Sequence, residues 1–233
     1  MVVAGVDYTD ASLVNHYRIA GKSSRRFIME LLKQRLIDKF ANEQSGHDFD
    51  HLQRVVNNAR FINDNQDAFL VELTAWLHDY FDDKFYQGNI SKDLKQLLQE
   101  TSITLSENDY LQLESDLSNF GFKGGFNKEE LSEVAKVVQD ADYLDAIGAI
   151  GIARACIYGG FKGSKLYGED GDSETIDSLQ QYRKKRSILQ HFDDKLLKLK
   201  DLMNTPKGKE LAQERHQFME AFLSQINKEI NLK

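Results

Sequence analysis

Proline is nearly missing from this chain. Pro206 is the one instance in 233 residues. That scarcity argues against a loop-rich all-β protein and leaves room for many uninterrupted helices. Cysteine is equally scarce. A lone Cys156 excludes an internal disulfide framework and a cysteine-based zinc site. Its neighbours, Ile152-Ala-Arg-Ala-Cys156-Ile157, suggest a core position. No excess of positive charge is present: the formal net charge is −7, which disfavours tight generic binding to nucleic acid. A small anionic ligand is still allowed, since a cation and a few bases can make a pocket locally positive. No apolar run approaches membrane-spanning length, and the first residues lack the basic and apolar regions of a secretory signal. The expected setting is the cytoplasm, with no membrane partner.

What is present is ample for a core. Hydrophobic residues make up 41% of the chain, and no linker divides it. Residues 1–22 have weak periodicity and read as an irregular arm before one domain over 23–233. Apolar spacing then predicts helices from Ser23 (inner face Phe27, Leu31, Leu32, Leu36, Phe40), from Asp48 to Asn63 and from Ala68 to Phe81. Two amphipathic helices over 91–100 and 106–119 follow, capped by Ser91 and Ser106. Another runs from Lys128 to Asp142 or beyond, and a small-residue helix covers 146–155. Ten of the 15 glycines lie between Gly121 and Gly171, which puts the least regular part of the chain there, including a loop over 159–173. Two long helices close the sequence, over 175–203 and from Pro206 onward. The second begins with Thr205 as N-cap and carries Leu211, Phe218, Phe222 and Ile226 inward. The expected class is all-α.

The stretch Leu73-Thr-Ala-Trp-Leu-His78-Asp79-Tyr-Phe-Asp82-Asp83 draws the chemistry together. An apolar helix delivers a histidine and an acid at its inner end, where polar groups need a partner. His51, in the preceding helix, and Asp142 can complete a set of two imidazoles and two carboxylates. Mixed nitrogen and oxygen ligands suit one octahedral divalent cation, Mn²⁺ or another of Mg²⁺, Fe²⁺, Co²⁺ and Ni²⁺, better than a closed zinc site. Two open positions would serve a water and a substrate oxygen, as phosphate-bond hydrolysis requires. The second His-Asp pair, His47-Asp48, follows Ser45-Gly46 and reads as a helix start.

Asp82 either takes the proton of the attacking water or ends the helix in solvent, with Asp83 beside it. Candidate phosphate contacts are Arg54, one turn from His51 and equally able to form a surface salt bridge, and Lys123 in the glycine-rich turn Gly121 to Gly125. His191 and Lys195, four apart on one helix, are a plausible pair. Arg183 to Arg186 reads as a solvated face. Arg215 interrupts the inner stripe of the last helix and could pair with an acid. Asp145 lies three residues after Asp142 and shares its direction, whereas Asp140 points elsewhere.

In this order, His51, His78-Asp79 and Asp142 resemble the H…HD…D signature of the HD-domain metal-dependent phosphohydrolases. His51-Leu-Gln-Arg54-Val is similar to the family's HxxRV segment, and Ala141-Asp142-Tyr-Leu-Asp145 to its ADxL segment. His78-Asp79-Tyr-Phe-Asp82-Asp83 resembles the HDxxED form, with Asp82 in place of the glutamate. From roughly Phe40 to Leu223 the chain is similar to the small stand-alone bacterial branch. The segments that carry this likeness are Asp140 to Arg154, His191-Phe-Asp-Asp-Lys195-Leu-Leu and Arg215 to Leu223. Tyr143 stands where that branch often has arginine. The resemblance implies an all-helical fold, a divalent cation at His51, His78, Asp79 and Asp142, and hydrolysis of a phosphate bond. Asp145 is counted with the candidate substrate contacts, and the expected substrate is a nucleotide. A nucleoside triphosphate pyrophosphohydrolase leads. A nucleoside monophosphatase, a small-nucleotide phosphodiesterase and a non-catalytic sensing module are the alternatives, and a homodimer is left open.

Overall fold

The computed structural model describes residues 22–43, 46–82, 86–120, 130–168 and 187–231. Asp83, Lys123, the arm over 1–21 and the basic run 183–186 lie outside these residues. Among the described residues every regular element is helical: α1 (Lys22–Phe40), α2 (Phe49–Ile62), α3 (Ala68–Leu77), α4 (Ile90–Glu100), α5 (Glu107–Asn119), α6 (Glu133–Asp145), α7 (Gly148–Phe161), α8 (Ile188–Asp194), a 3₁₀ segment (Leu196–Leu202) and α9 (Pro206–Ile230). The fold is all-α.

A tightly capped hairpin lies at the centre. Asp48 starts α2 by accepting from the His51 amide at 2.7 Å, satisfying one of the donors that a helix N-terminus leaves open. Asn63 ends α2 and accepts from the Gln66 amide at 3.0 Å, and Asp67 starts α3 by accepting from Phe69 and Leu70. A connection with so few unsatisfied groups fixes α3 antiparallel to α2. It sets the first turn of α2 beside the last turn of α3, which brings His51 near His78. Leu52, Val55, Val56, Ala59 and Ile62 form the buried stripe of α2 expected from the spacing. Helix α3 is buried on several sides, with Trp76 inaccessible and stacked on Phe49 at 5.4 Å. Helix α6 packs against both α2 and α3 and completes the three-helix frame.

Several expected boundaries shift. Helix α1 already runs from Lys22, ahead of the serines expected to cap it, and Phe27 is 65% exposed because Met29, Leu32 and Leu36 form the inner face. Asn89, not Ser91, caps α4. Helix α6 starts later than expected, behind Ser132. Helix α3 stops at Leu77, so His78 to Phe81 form a turn rather than helix. The long helix expected over 175–203 is, in its described part, a short helix and a 3₁₀ segment. A capping box at Ser187 and Gln190 starts α8, and the chain breaks at Lys195 with φ −132°. Of the two C-terminal helices, only α9 is long.

Cys156 is exposed, against expectation. Helix α7 packs through Gly148, Gly151, Ile152 and Gly159, a stripe whose centre passes Cys156 by about 80° of helix rotation. Likewise α9 turns Gly208, Ala212, His216 and Met219 inward and leaves Phe218 54% exposed. No single helix among the described residues is long and apolar enough to cross a membrane.

Candidate metal centre

Four side chains from the three-helix frame meet at one point. His51 comes from the first turn of α2, His78 and Asp79 from the turn after α3, and Asp142 from α6. His51 Nε2 lies 3.2 Å from Asp79 Oδ2 and 3.6 Å from Asp142 Oδ1. His78 Nε2 lies 3.5 Å and 4.0 Å from the same two oxygens. A cation with bonds of about 2.1 Å sets neighbouring ligands about 3.0 Å apart and opposite ones about 4.2 Å apart. The observed separations fall within that range.

Both Nε2 atoms are buried and have no hydrogen-bond partner within the protein, a costly arrangement unless something else fills the role. Their rings are oriented from behind. His51 Nδ1 is 2.7 Å from Asp145 Oδ2, and His78 Nδ1 is 2.8 Å from the Ala75 carbonyl. An Nδ1–H donated to each acceptor leaves the Nε2 lone pair directed into the cluster, as metal-ligating histidines require. The donor set therefore fits a divalent cation. His51, His78 and Asp142 form one grouping able to hold an ion, and His47, His51 and Asp79 form a second that shares His51.

For His51, Asp79 and Asp145 burial is the largest influence, and neighbours override it. Burial favours neutral His51, but the Asp145 and Asp79 carboxylates beside it raise its pKa overall. Burial would raise Asp79, yet the adjacent His78 and His47 hold its carboxyl well below the usual carboxylate range. Asp145 is pushed up by burial and held low by His51, Arg54 and Arg154. Asp79 and Asp145 thus stay ionised. A cation would hold His51 unprotonated at Nε2.

Asp145, expected at the substrate, is only 2% exposed and lies behind His51. Its Oδ1 accepts from Arg54 Nε at 2.7 Å, and its Oδ2 also accepts from Arg154 Nη1 at 2.8 Å. Arg54 makes a second bond to it through Nη2 at 3.2 Å and stays about one-third exposed. Asp140 does point elsewhere: it is fully buried and caps the turn at Asn204 and Thr205. Arg215 pairs with the Leu144 carbonyl and Asn58 rather than directly with an acid. Asp82 lines a cleft of about 280 Å³ with Phe81, Tyr86, Gln87 and Phe120. The Phe120 ring lies 6.2 Å from that of His78, so this cleft borders the cluster. His191 and Lys195 belong to a different part of the bundle, where α8 packs on α7 and the 3₁₀ segment.

Two residues near the cluster were not read as site residues from the sequence. His47 reaches Asp79 from the segment before α2, and Arg154 reaches Asp145 from α7. The His47-Asp48 pair was itself the available clue. Asp48 does cap α2 as expected, while His47 turns the other way.

An all-α frame that gathers H…HD…D side chains defines an HD-domain protein. The chain belongs to the HD superfamily of metal-dependent phosphohydrolases. It is 39% identical over 194 residues to YpgQ of Bacillus subtilis, a match covering 81% of this chain and 87% of YpgQ. The crystal structure of YpgQ in complex with ADP superposes with a TM-score of 0.70 at 34% identity, covering 89% of this chain and 97% of that one. A Lactobacillus plantarum protein gives a TM-score of 0.75 at 34% identity over 90% of this chain and 97% of its own. An HD-superfamily hydrolase from Bacillus thuringiensis gives 0.68 at 33% identity, over 90% of this chain and all of that one. No protein-family model matches the chain.

Proposed function

We propose that this protein is a divalent-metal-dependent hydrolase of nucleotides that splits a nucleoside triphosphate to the monophosphate and pyrophosphate. The observation that carries the reading is the pair of buried, partnerless Nε2 atoms facing two carboxylate oxygens. The nucleotide class is supported by YpgQ, whose structure was solved with ADP. His51, His78, Asp79 and Asp142 would hold the cation, with Mn²⁺ the first choice for two imidazoles and two carboxylates. Such a cation withdraws charge from a phosphate oxygen and makes water more acidic.

The protein's own groups do the rest. Asp145 orients the His51 ring and pins the Arg54 guanidinium. A pinned and partly exposed guanidinium loses little further freedom when it meets a phosphate, so Arg54 is the phosphate contact. Asp82, on the wall of the bordering cleft, takes the proton of the attacking water. The shorter reach of aspartate compared with glutamate draws that water closer to the turn. Attack of that water forms a new bond to the α-phosphorus and breaks the bond to the β-phosphate, and pyrophosphate leaves with its charge met by Arg54.

The test is purified protein with Mn²⁺ and a panel of nucleoside mono-, di- and triphosphates, with products separated by ion exchange. Pyrophosphate from a triphosphate is expected, and Asp79→Ala should abolish its release while leaving helical circular dichroism intact. Inorganic phosphate from a monophosphate would replace this reading with a monophosphatase. Turnover retained by Asp79→Ala would overturn it.

A further inference from the structure

We propose that His47 is a positioning residue of the metal centre, donating a hydrogen bond to the ligand oxygen of Asp79 and held in place by Arg154. This rests on reading the four-residue cluster as a cation site. Asp79 Oδ2 is the common focus of three imidazoles, with His47 Nδ1 at 2.8 Å, His51 Nε2 at 3.2 Å and His78 Nε2 at 3.5 Å. The two farther nitrogens face the cluster interior, and the nearest approaches from outside it. The His47 ring stands edge-on to His51 at 5.5 Å and 87°. Its side chain is 23% exposed, against 0% for His51 and 2% for His78, so it lies on the wet rim.

Asp79 needs such support because of where the helix ends. Helix α3 stops at Leu77, so the carboxylate hangs from a turn rather than from a packed helical face. A carboxylate there has rotamer freedom, and a donor fixed at 2.8 Å removes it. His47 is itself anchored. The chain turns sharply before it, with Gly46 at φ +90°, where a side chain would be strained. The Gly46 carbonyl accepts from Arg154 Nη2 at 2.8 Å. The other terminal nitrogen of Arg154 holds Asp145, which orients His51. One guanidinium thus ties together the braces behind two ligands, Asp79 and His51.

The experiment measures Mn²⁺ binding by electron paramagnetic resonance for the full-length wild type, His47→Ala and His47→Asn, and counts coupled imidazole nitrogens by electron spin echo. Asparagine can donate from nearly the same place as Nδ1, so it should rescue. The expected result is a Mn²⁺ dissociation constant about 10- to 100-fold weaker in His47→Ala, near-wild-type binding in His47→Asn, and two coupled imidazoles in the wild type. Unchanged binding in His47→Ala overturns the brace. So does a loss in His47→Asn as large as in His47→Ala. Three coupled imidazoles would make His47 a direct ligand and overturn it as well. If His47→Ala does not fold, His47→Asn and the nitrogen count still decide. Absence of Mn²⁺ binding by the wild type would overturn the metal centre itself, a different failure from that of the brace.

Discussion

Helix α6 carries two buried polar clusters of opposite character. At Asp140 the carboxylate is inaccessible and complete. It accepts from the Asn204 and Thr205 amides, the Asn204 side-chain amide and the Thr205 hydroxyl, all between 2.7 and 3.0 Å. Two residues further on, Asp142 faces a cluster that is incomplete. Both histidine Nε2 atoms there lack a partner within the protein, and the Asp142 side chain stays 30% exposed. The first cluster closes a turn and starts α9. The second leaves two buried imidazole nitrogens for a partner from outside the chain. Burial of charge alone does not distinguish them. The count of unmet donors and acceptors does.

Crossing the two acids should expose this difference. Asp142→Ala should lower turnover by about 10³-fold or more, since it removes a ligand of the reacting centre. It should also shrink the rise in melting temperature produced by Mn²⁺, because only a bound cation stabilises the folded state by mass action. Asp140→Ala should do the reverse. It leaves the part-buried Asn204 and Thr205 amides without their acceptor, at a cost of about 2 kcal/mol in a urea titration. Activity per folded molecule should persist, along with the Mn²⁺ shift. Equal loss of activity from both variants would erase the distinction.

A smaller effect comes from His191, where acid rather than mutation breaks a buried group. Burial, with Lys195 adding to it, pulls its pKa from 6.5 to about 4. The folded state therefore holds the neutral ring, while the unfolded chain takes up a proton below 6.5. Its contribution is complete above pH 6.5 and is lost as pH falls towards 4, by roughly 2–3 kcal/mol in all. Denaturant melts across that window should show a shallower pH slope for His191→Phe than for the wild type. Smaller still is Gly148→Ala, at about 1–2 kcal/mol in the same assay. Gly148 has φ +72°, and a Cβ there would sit 2.9 Å from the Arg215 side chain.

The convergence of the proposed metal ligands was legible because they obey local rules. His78-Asp79 ends an apolar helix, and the apolar period of α2 and α3 with their polar connection predicts the hairpin that brings His51 close. Asp142 and Asp145, three apart on α6, were read as sharing a direction. The structure separates them, because Asp145 is drawn behind His51 by two arginines and an imidazole. His47 was not legible as a site residue. A histidine before an N-cap has no periodic relation to Asp79, 32 residues away, and only the turn at Gly46 aims it there. The misplacements of Phe27, Cys156 and Phe218 share one cause. Other residues took the inner face of those helices, Met29, Leu32 and Leu36 in α1, Gly148, Gly151, Ile152 and Gly159 in α7, and Gly208, Ala212, His216 and Met219 in α9, so these three were left outside.

The most direct test is a crystal of the full-length protein grown with Mn²⁺, with its anomalous scattering mapped. A single strong peak is expected about 2.0–2.3 Å from His51 Nε2, His78 Nε2 and one oxygen each of Asp79 and Asp142. A well-ordered cluster with no peak among those four atoms, or Mn²⁺ bound only elsewhere, would contradict the account.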